Sequence, residues 1–335
     1  MLIASWFVPD GRARATRLFF WLCICATESN RIKPMVTIAQ KTRLAAVALL
    51  VSVASLLACG SDKAVAPPEE SPQIDVRFVS TDVPEAVKSA VAEAQARWSR
   101  ALSKDLGSFR LNSPANTCFS GAPALNETHP NLLILISFFP IDGQHGQLAA
   151  TKICGMSSRD ALPMLSAIRI DSEDFDLMVA EGVLTAVITH EMGHALGFVP
   201  QSYLMKGLAG GGRNDPYFQG TTARSEFAAH GAWYTGVAVP LEDVTGAGPN
   251  DPHWRFSVFA DELMSSFLVH GFRSPLSTIT LGFFKDLGYA VDFSVADAYE
   301  VIPPSAGNRI FPGYNLLGDV ELTVPPKSVT PLITH

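Results

Sequence analysis

The chain has 335 residues, 47% of them hydrophobic, and a formal net charge of −7 at pH 7. That is ample apolar material for a buried core and too much for a disordered chain. The first 58 residues carry seven Lys/Arg against two Asp/Glu, which leaves the remainder at −12; phosphate binding needs a basic face, so nucleic acid is excluded as the natural partner.

Residues 1–34 precede a complete export signal and read as an upstream extension from a mis-assigned start, with Met35 as the true first residue. The apolar stretch 19–24 is far too short to span a membrane. Residues 35–58 read as a signal peptide: Lys41 and Arg43, then the apolar run 44–57. Leu56-Leu57-Ala58-Cys59 resembles the bacterial lipobox. That resemblance implies lipidation of Cys59 and an exported protein anchored in the bacterial cell envelope, or a secreted one if the box is not used. Residues 59–73, with Pro67, Pro68 and Pro72, suit a tether. Removal of Cys23 and Cys25 and lipidation of Cys59 would leave Cys118 and Cys154, which pair as a disulfide in an oxidising compartment or stay as two buried thiols.

The folded part begins near Ile74. Ile74, Val76 and Phe78 alternate as in a strand, and Asp82 followed by Glu85 predicts a capping box. Val87, Ala90, Val91, Ala94, Trp98 and Leu102 then repeat at helical spacing. The continuous apolar run 132–141 predicts a buried central strand, and the shorter alternation 167–171 a strand at the sheet edge. A second helix is predicted over 181–198, followed by glycine-rich connections around Gly207, Gly210 to Gly212, Gly246 and Gly248, read as flexible. These lack the lysine and the preceding strand of a phosphate loop. The order of elements predicts an α+β fold with a cleft between two halves.

His190-Glu191-Met192-Gly193-His194 lies in the second helix. Four residues at 3.6 per turn bring the two histidines within about 40° of each other on one face, with Glu191 about 60° from His194. Two imidazoles can thus share a metal ion while the carboxylate reaches a water beside it, the arrangement a general base needs. Such a pattern also arises by chance, but a purely structural helix has little reason to interrupt its apolar face with two histidines and a glutamate.

Zinc needs a third protein ligand. Gly197 falls where metzincin peptidases turn the chain out of the helix, yet Pro200 stands where the next ligand would follow. Further on come His253-Trp254, Asp261-Glu262-Leu263-Met264, Leu276-Ser277-Thr278-Ile279-Thr280-Leu281-Gly282 and Lys285-Asp286-Leu287-Gly288-Tyr289. Phe218-Gln219-Gly220, Val239-Pro240-Leu241-Glu242 and Ala296-Asp297-Ala298-Tyr299 complete the set. Together with the helix motif they resemble the leishmanolysin family of metzincins over roughly residues 130–300.

The resemblance implies a metzincin-like α+β fold: a twisted mixed sheet with two long helices, then a loop-rich second part, with an active-site cleft between them. The expected division is a catalytic subdomain 74–199, a second subdomain 200–300 and an extension 301–335. It implies one zinc ion on His190, His194 and His253, Glu191 as the catalytic base, Met264 as the Met-turn under the metal and Gly197 as the helix-ending turn. It implies protein or peptide substrates, laid along the expected edge strand 167–171. No cysteine occurs in 60–117, so a cysteine-switch propeptide is not expected.

His230 and His270 are poorer third ligands, and His129, His145 and His335 have no metal-like context. A glutamate ligand would have to be Glu226 or Glu242. The competing reading is a lipid-anchored binding protein whose zinc site is structural or inactive, which would usually fill all four positions with protein ligands.

Overall fold

The computed structural model describes residues 74–230, 238–269, 273–301, 313–315 and 327–329. Cys59, the segments 1–34 and 35–58, the whole of the tether 59–73, His270, His335 and most of the 301–335 extension lie outside these residues. In chain order the first half comprises β1 (Ile74–Phe78), α1 (Glu85–Ala101), β2 (Leu102–Ser103), β3 (Phe109–Ser113), β4 (Leu125–His129), β5 (Leu132–Phe139), β6 (Ala149–Ser157), β7 (Pro163–Asp171), α2 (Phe175–Ala180) and α3 (Leu184–Ala195). The second comprises α4 (Pro200–Met205), β8 (Ala209–Gly212), β9 (Asp215–Phe218), α5 (Thr221–His230), β10 (Val239–Pro240), α6 (Phe256–Phe259), β11 (Phe267–Val269), α7 (Thr278–Leu287), β12 (Ala290–Val291), β13 (Gly313–Asn315) and β14 (Lys327–Val329). None of the described helices is long and apolar enough to cross a membrane.

The main sheet is mixed, in the order β1-β5-β7-β6-β14, with β1, β5 and β7 parallel and β6 antiparallel to β7. The run in β5 is continuously apolar because both of its faces are covered. Leu132, Ile134 and Ile136 join the main core with α1 and α3, while Leu133 and Leu135 join a second core with Phe109, Leu111, Phe119 and Leu125 from the β3–β4 side. The Cys118–Cys154 disulfide ties the loop between β3 and β4 to β6.

Four sequence expectations are corrected. The strand containing 167–171 is not an edge: β7 has nine residues and pairs with β5 on one side and β6 on the other. Its alternation comes from Arg169 and Asp171 near its end, whereas Leu165 and Ala167 face one core and Ile168 and Ile170 the other. The second helix is shorter than 181–198, because Gly182 at φ +68 breaks the chain between α2 and α3. No capping box forms on α1: its N-cap position is Pro84, with no side-chain cap bond, and Asp82 accepts a bond from Thr81 instead. The physical reason is Pro84 itself, which bars the preceding Val83 from helical backbone, so the helix starts only after the proline. Finally, the glycines at 210–212 are not a flexible connection but part of β8, the outer strand of a sheet ordered β10-β9-β8. A Cβ at Gly210 would stand 3.1 Å from the Tyr217 ring, so the absence of side chains lets that ring lie across the strand.

The second half packs around an aromatic cluster. Phe198 at the end of the α3 segment stacks on Phe283 of α7, their ring centroids 4.1 Å apart, and Trp254 stacks on Phe259 at 5.3 Å. Helix α7 is capped by Ser277, whose hydroxyl accepts from the Thr280 N–H, and ends at Gly288 in the left-handed conformation.

Candidate metal centre

Helix α3 is buried nearly all round because the sheet, α1 and the second half cover its different faces. The Trp98 indole on α1 donates to the Thr189 carbonyl at 2.9 Å, and the Ser166 hydroxyl on β7 donates to that of Ala195 at 2.9 Å. His190, Glu191 and His194 are fully buried. Gly193 between the histidines allows the close approach of Met264: a Cβ there would lie 2.6 Å from the Met264 sulfur and 3.2 Å from the Trp98 ring. Any larger residue would force either the helix or the Met264 side chain to shift. Gly197 has φ +122 and lies just beyond the C-cap position Leu196, where a left-handed residue turns the chain away.

The third imidazole arrives through pairing far along the chain. The Trp254 N–H donates to the Met264 carbonyl at 2.9 Å and the Glu242 N–H to the His253 carbonyl at 3.0 Å. Trp254 is fully buried in the aromatic cluster, which fixes the residue beside it. The His253 ring centroid thereby lies 5.4 Å from that of His190 and 5.1 Å from that of His194. One ligand atom from each of the three lies within 4.8 Å of the others, and among the described residues no cysteine or carboxylate joins this group.

The outer ring nitrogens decide which way the lone pairs point. His190 Nδ1 lies 2.6 Å from the Leu263 carbonyl and His194 Nδ1 2.8 Å from the Phe198 carbonyl. A carbonyl oxygen only accepts, so both Nδ1 atoms carry the proton and donate. The two Nε2 atoms face each other at 2.9 Å; in neutral rings both present a lone pair there, and the pair is repulsive unless a cation or a proton lies between them. His253 Nδ1 lies 2.8 Å from Asp251 Oδ1. Three imidazoles aimed inward, with no thiolate among them, suit zinc, and with no fourth protein ligand among the described residues they suit an open site.

Glu191 Oε2 accepts from the Thr151 hydroxyl at 2.5 Å, and the same hydroxyl lies 3.0 Å from the Glu191 carbonyl. Thr151 is on β6 and Arg169 on the adjoining β7. Burial lowers the Arg169 guanidinium pKa, and the negative charge of Glu191 works against that shift.

Three buried carboxylates surround the centre. Glu262 accepts from the Met264 N–H at 2.6 Å, the Ser277 hydroxyl at 2.6 Å, the Thr280 hydroxyl at 2.5 Å and the Ser277 N–H at 3.2 Å. Burial pushes its carboxyl above the ordinary range, opposed by those bonds. Glu242 accepts from the N–H groups of Asp243, Val244 and Phe256 and from the Ser266 hydroxyl, so it braces the loop rather than joining the imidazoles. Asp251 holds His253 through one oxygen and accepts from the Thr245 hydroxyl at 2.7 Å through the other. The Tyr203 hydroxyl donates to the Asp251 carbonyl at 3.1 Å, and its pKa is pushed well up by burial and by the Asp251 charge.

Of the other candidates, Glu226 lies on α5 outside the imidazole group, His230 meets the Thr278 hydroxyl, and His129 lies between Asp75 and the Asn131 carbonyl. Sequence reasoning missed Asp251, Thr151 and the two carbonyls. An acid two residues before the third histidine was a visible signal for Asp251; a threonine in a strand and a carbonyl oxygen leave none.

A family model described as leishmanolysin, peptidase M8, matches residues 123–305, which include all three histidines, Glu191 and Met264. Leishmanolysin of Leishmania chagasi is 30% identical over 171 residues, which cover 49% of this chain and 27% of that protein. Leishmanolysin of Leishmania major is 29% identical over 171 residues, and that of Leishmania donovani 28% over 178. The matched part thus spans less than a third of the length of these relatives. With a family match across more than half of its length, this chain belongs to the leishmanolysin family of metallopeptidases.

Proposed function

We propose that the chain is a zinc-dependent endopeptidase in which the Nε2 atoms of His190, His194 and His253 hold one metal ion. The observation that carries this reading is the convergence of three buried imidazoles, two of them with Nδ1 pinned to a carbonyl so that the lone pairs turn inward. Peptidases of this family use zinc. Zinc in such a site supplies a Lewis acid that polarises a peptide carbonyl and makes hydroxide available near neutral pH.

The chain's own residues do the rest. Glu191 takes a proton from the attacking water and hands it to the leaving amine, with Thr151 holding one of its oxygens. Met264, buried against Gly193, forms the floor beneath the metal as in metzincins. The substrate lies extended in a cleft between the parts 74–199 and 200–300 and pairs through its main chain with β6. That strand replaces 167–171 in this role, because β7 is paired on both sides whereas, among the described residues, only the 155–157 end of β6 is paired on its outer side, with β14. Lipidation at Cys59, a tether to residue 73 and a place in the bacterial cell envelope complete the proposal, with 301–335 as an extension of the catalytic part.

The complete burial of the three imidazoles is the observation that favours the alternative, a lipid-anchored binding protein with a silent metal site. One experiment separates the two. The purified protein should contain one zinc per chain and cleave casein in a chelator-sensitive manner. Glu191→Gln should keep the zinc while cleavage falls about 100- to 10,000-fold. Zinc without any cleavage in the wild type would favour the binding protein, and an active Glu191→Gln variant would remove the proposed base.

A further inference from the structure

The three histidines are not oriented alike. His190 and His194 give their Nδ1 protons to neutral carbonyl oxygens, those of Leu263 and Phe198. His253 faces a carboxylate, Asp251 Oδ1, at 2.8 Å. Histidine and acid are both buried, at 0% and 3% side-chain exposure. Among the described residues Asp251 pairs with no lysine or arginine. A buried carboxylate is costly unless it is hydrogen-bonded, and here its two oxygens meet the His253 imidazole and the Thr245 hydroxyl.

The acid is also held in place. Its second oxygen accepts from the Thr245 hydroxyl at 2.7 Å, its N–H donates to the Gly248 carbonyl at 3.1 Å, and its own carbonyl accepts from Tyr203. Because His253 lies in a loop far from α3, nothing like a helical repeat fixes its ring. The carboxylate takes over that task, and an anionic acceptor makes the imidazole a stronger donor than a carbonyl can.

We infer that Asp251 is a positioning residue for the metal: it orients His253 and strengthens it as the third ligand, with Thr245 holding Asp251 in turn. This rests on the proposed zinc reading of the same three histidines. The prediction is that Asp251 sets metal affinity and retention rather than acting on the substrate.

The test is a competition titration of zinc against a chromophoric chelator on the full chain, for wild type, Asp251→Asn and Thr245→Val. Melting curves in excess chelator provide the metal-free reference. Asp251→Asn should weaken zinc binding about 10- to 100-fold. Thr245→Val, which leaves the acid in place, should weaken it about 3- to 10-fold. Cobalt-substituted Asp251→Asn should show a shifted visible absorption band, which a residue serving only to brace the loop would leave unchanged. Zinc affinity within twofold of wild type in Asp251→Asn overturns the inference even if wild type binds zinc tightly. A wild type that binds no zinc removes the reading beneath it, which is a distinct result. If Asp251→Asn does not fold, Thr245→Val decides the matter, and wild-type affinity in that variant counts against the inference.

Discussion

The two sides of the centre reach the same precision by different means. On the α3 side, His190, Glu191 and His194 owe their relative positions to the helix, and the helix owes its place to apolar packing and to side-chain bonds from Trp98, Ser166 and Thr151. On the His253 side the described backbone between residues 241 and 277 holds only short regular elements, and three buried carboxylates do the organising. Glu242 and Glu262 gather N–H and O–H groups from other segments of the chain, and Asp251 ties Thr245 to His253 within one loop. A helix needs only its own repeat to place two imidazoles, whereas an irregular segment has to be anchored group by group. Faults on the two sides should therefore have different consequences.

The largest effect separates them directly. His190→Ala and His253→Ala should each abolish stoichiometric zinc, but the metal-free proteins should differ. Alanine is the best helix former, and it leaves no charge exposed to apolar surroundings on α3. At 253 it leaves the buried Asp251 without its imidazole, which should cost about 3–5 kcal/mol more. Metal analysis together with denaturant unfolding in excess chelator measures both quantities. Equal metal-free stabilities would break the contrast.

The cross-link on the sheet side should show the reverse pattern. Cys118 and Cys154 are 36 residues apart and close a loop against β6. Replacing both by serine should cost about 2–5 kcal/mol. Zinc content should stay at the wild-type level, since no ligand depends on that loop. Loss of metal from the double variant at a temperature where it remains folded would show that the two regions are more tightly coupled than their contacts indicate.

This contrast also explains what was legible in the sequence. The spacing of His190 and His194 is readable because the helical repeat is a property of the local chain. The apolar run of β5 announces a strand covered on both faces for the same reason. The order of strands is not readable that way: whether β7 or β6 lies outermost depends on pairing between segments that carry no mutual signal. The polar Arg169 and Asp171 gave the interior strand β7 the look of an edge. His253 was legible only through resemblance, because 59 residues separate it from His194 and no periodicity bridges that gap. The acids that hold its loop resembled any other acids until their donors came into view.

Glu262 sharpens the comparison at a smaller scale. Its glutamine variant keeps one acceptor oxygen but turns an NH2 group toward donors, so at least one of the four bonds is lost, at a cost of about 1–3 kcal/mol near neutral pH. Its carboxyl is raised above the ordinary value of 4.5 by burial. A raised acid binds its proton more tightly in the folded state, so its contribution to stability is fully present below 4.5 and is lost as pH rises through the raised value. Glutamine does not titrate. The stability of wild type relative to Glu262→Gln should therefore decline with rising pH in that window, as read from denaturant midpoints at several pH values. A flat difference would mean that the four donors outweigh burial and keep the group ionised throughout.

The smallest effect compares two helix starts, one on each side. Ser277 caps α7 with its hydroxyl, and the same hydroxyl donates to Glu262. Ser277→Ala should cost about 1–2 kcal/mol, through loss of the cap and loosening of the acid beneath it. Asp82 has the sequence look of a cap for α1 but makes no cap bond, since Pro84 intervenes. Asp82→Ala should thus change stability by no more than about 0.5 kcal/mol. The pair is informative because both positions carry residue types that a reading of sequence alone treats as equivalent. A cost at Asp82 matching that at Ser277 would mean that the acid acts on the end of α1 without touching it, through its charge on the helix dipole, and the proline would then delay the helix without disconnecting its cap.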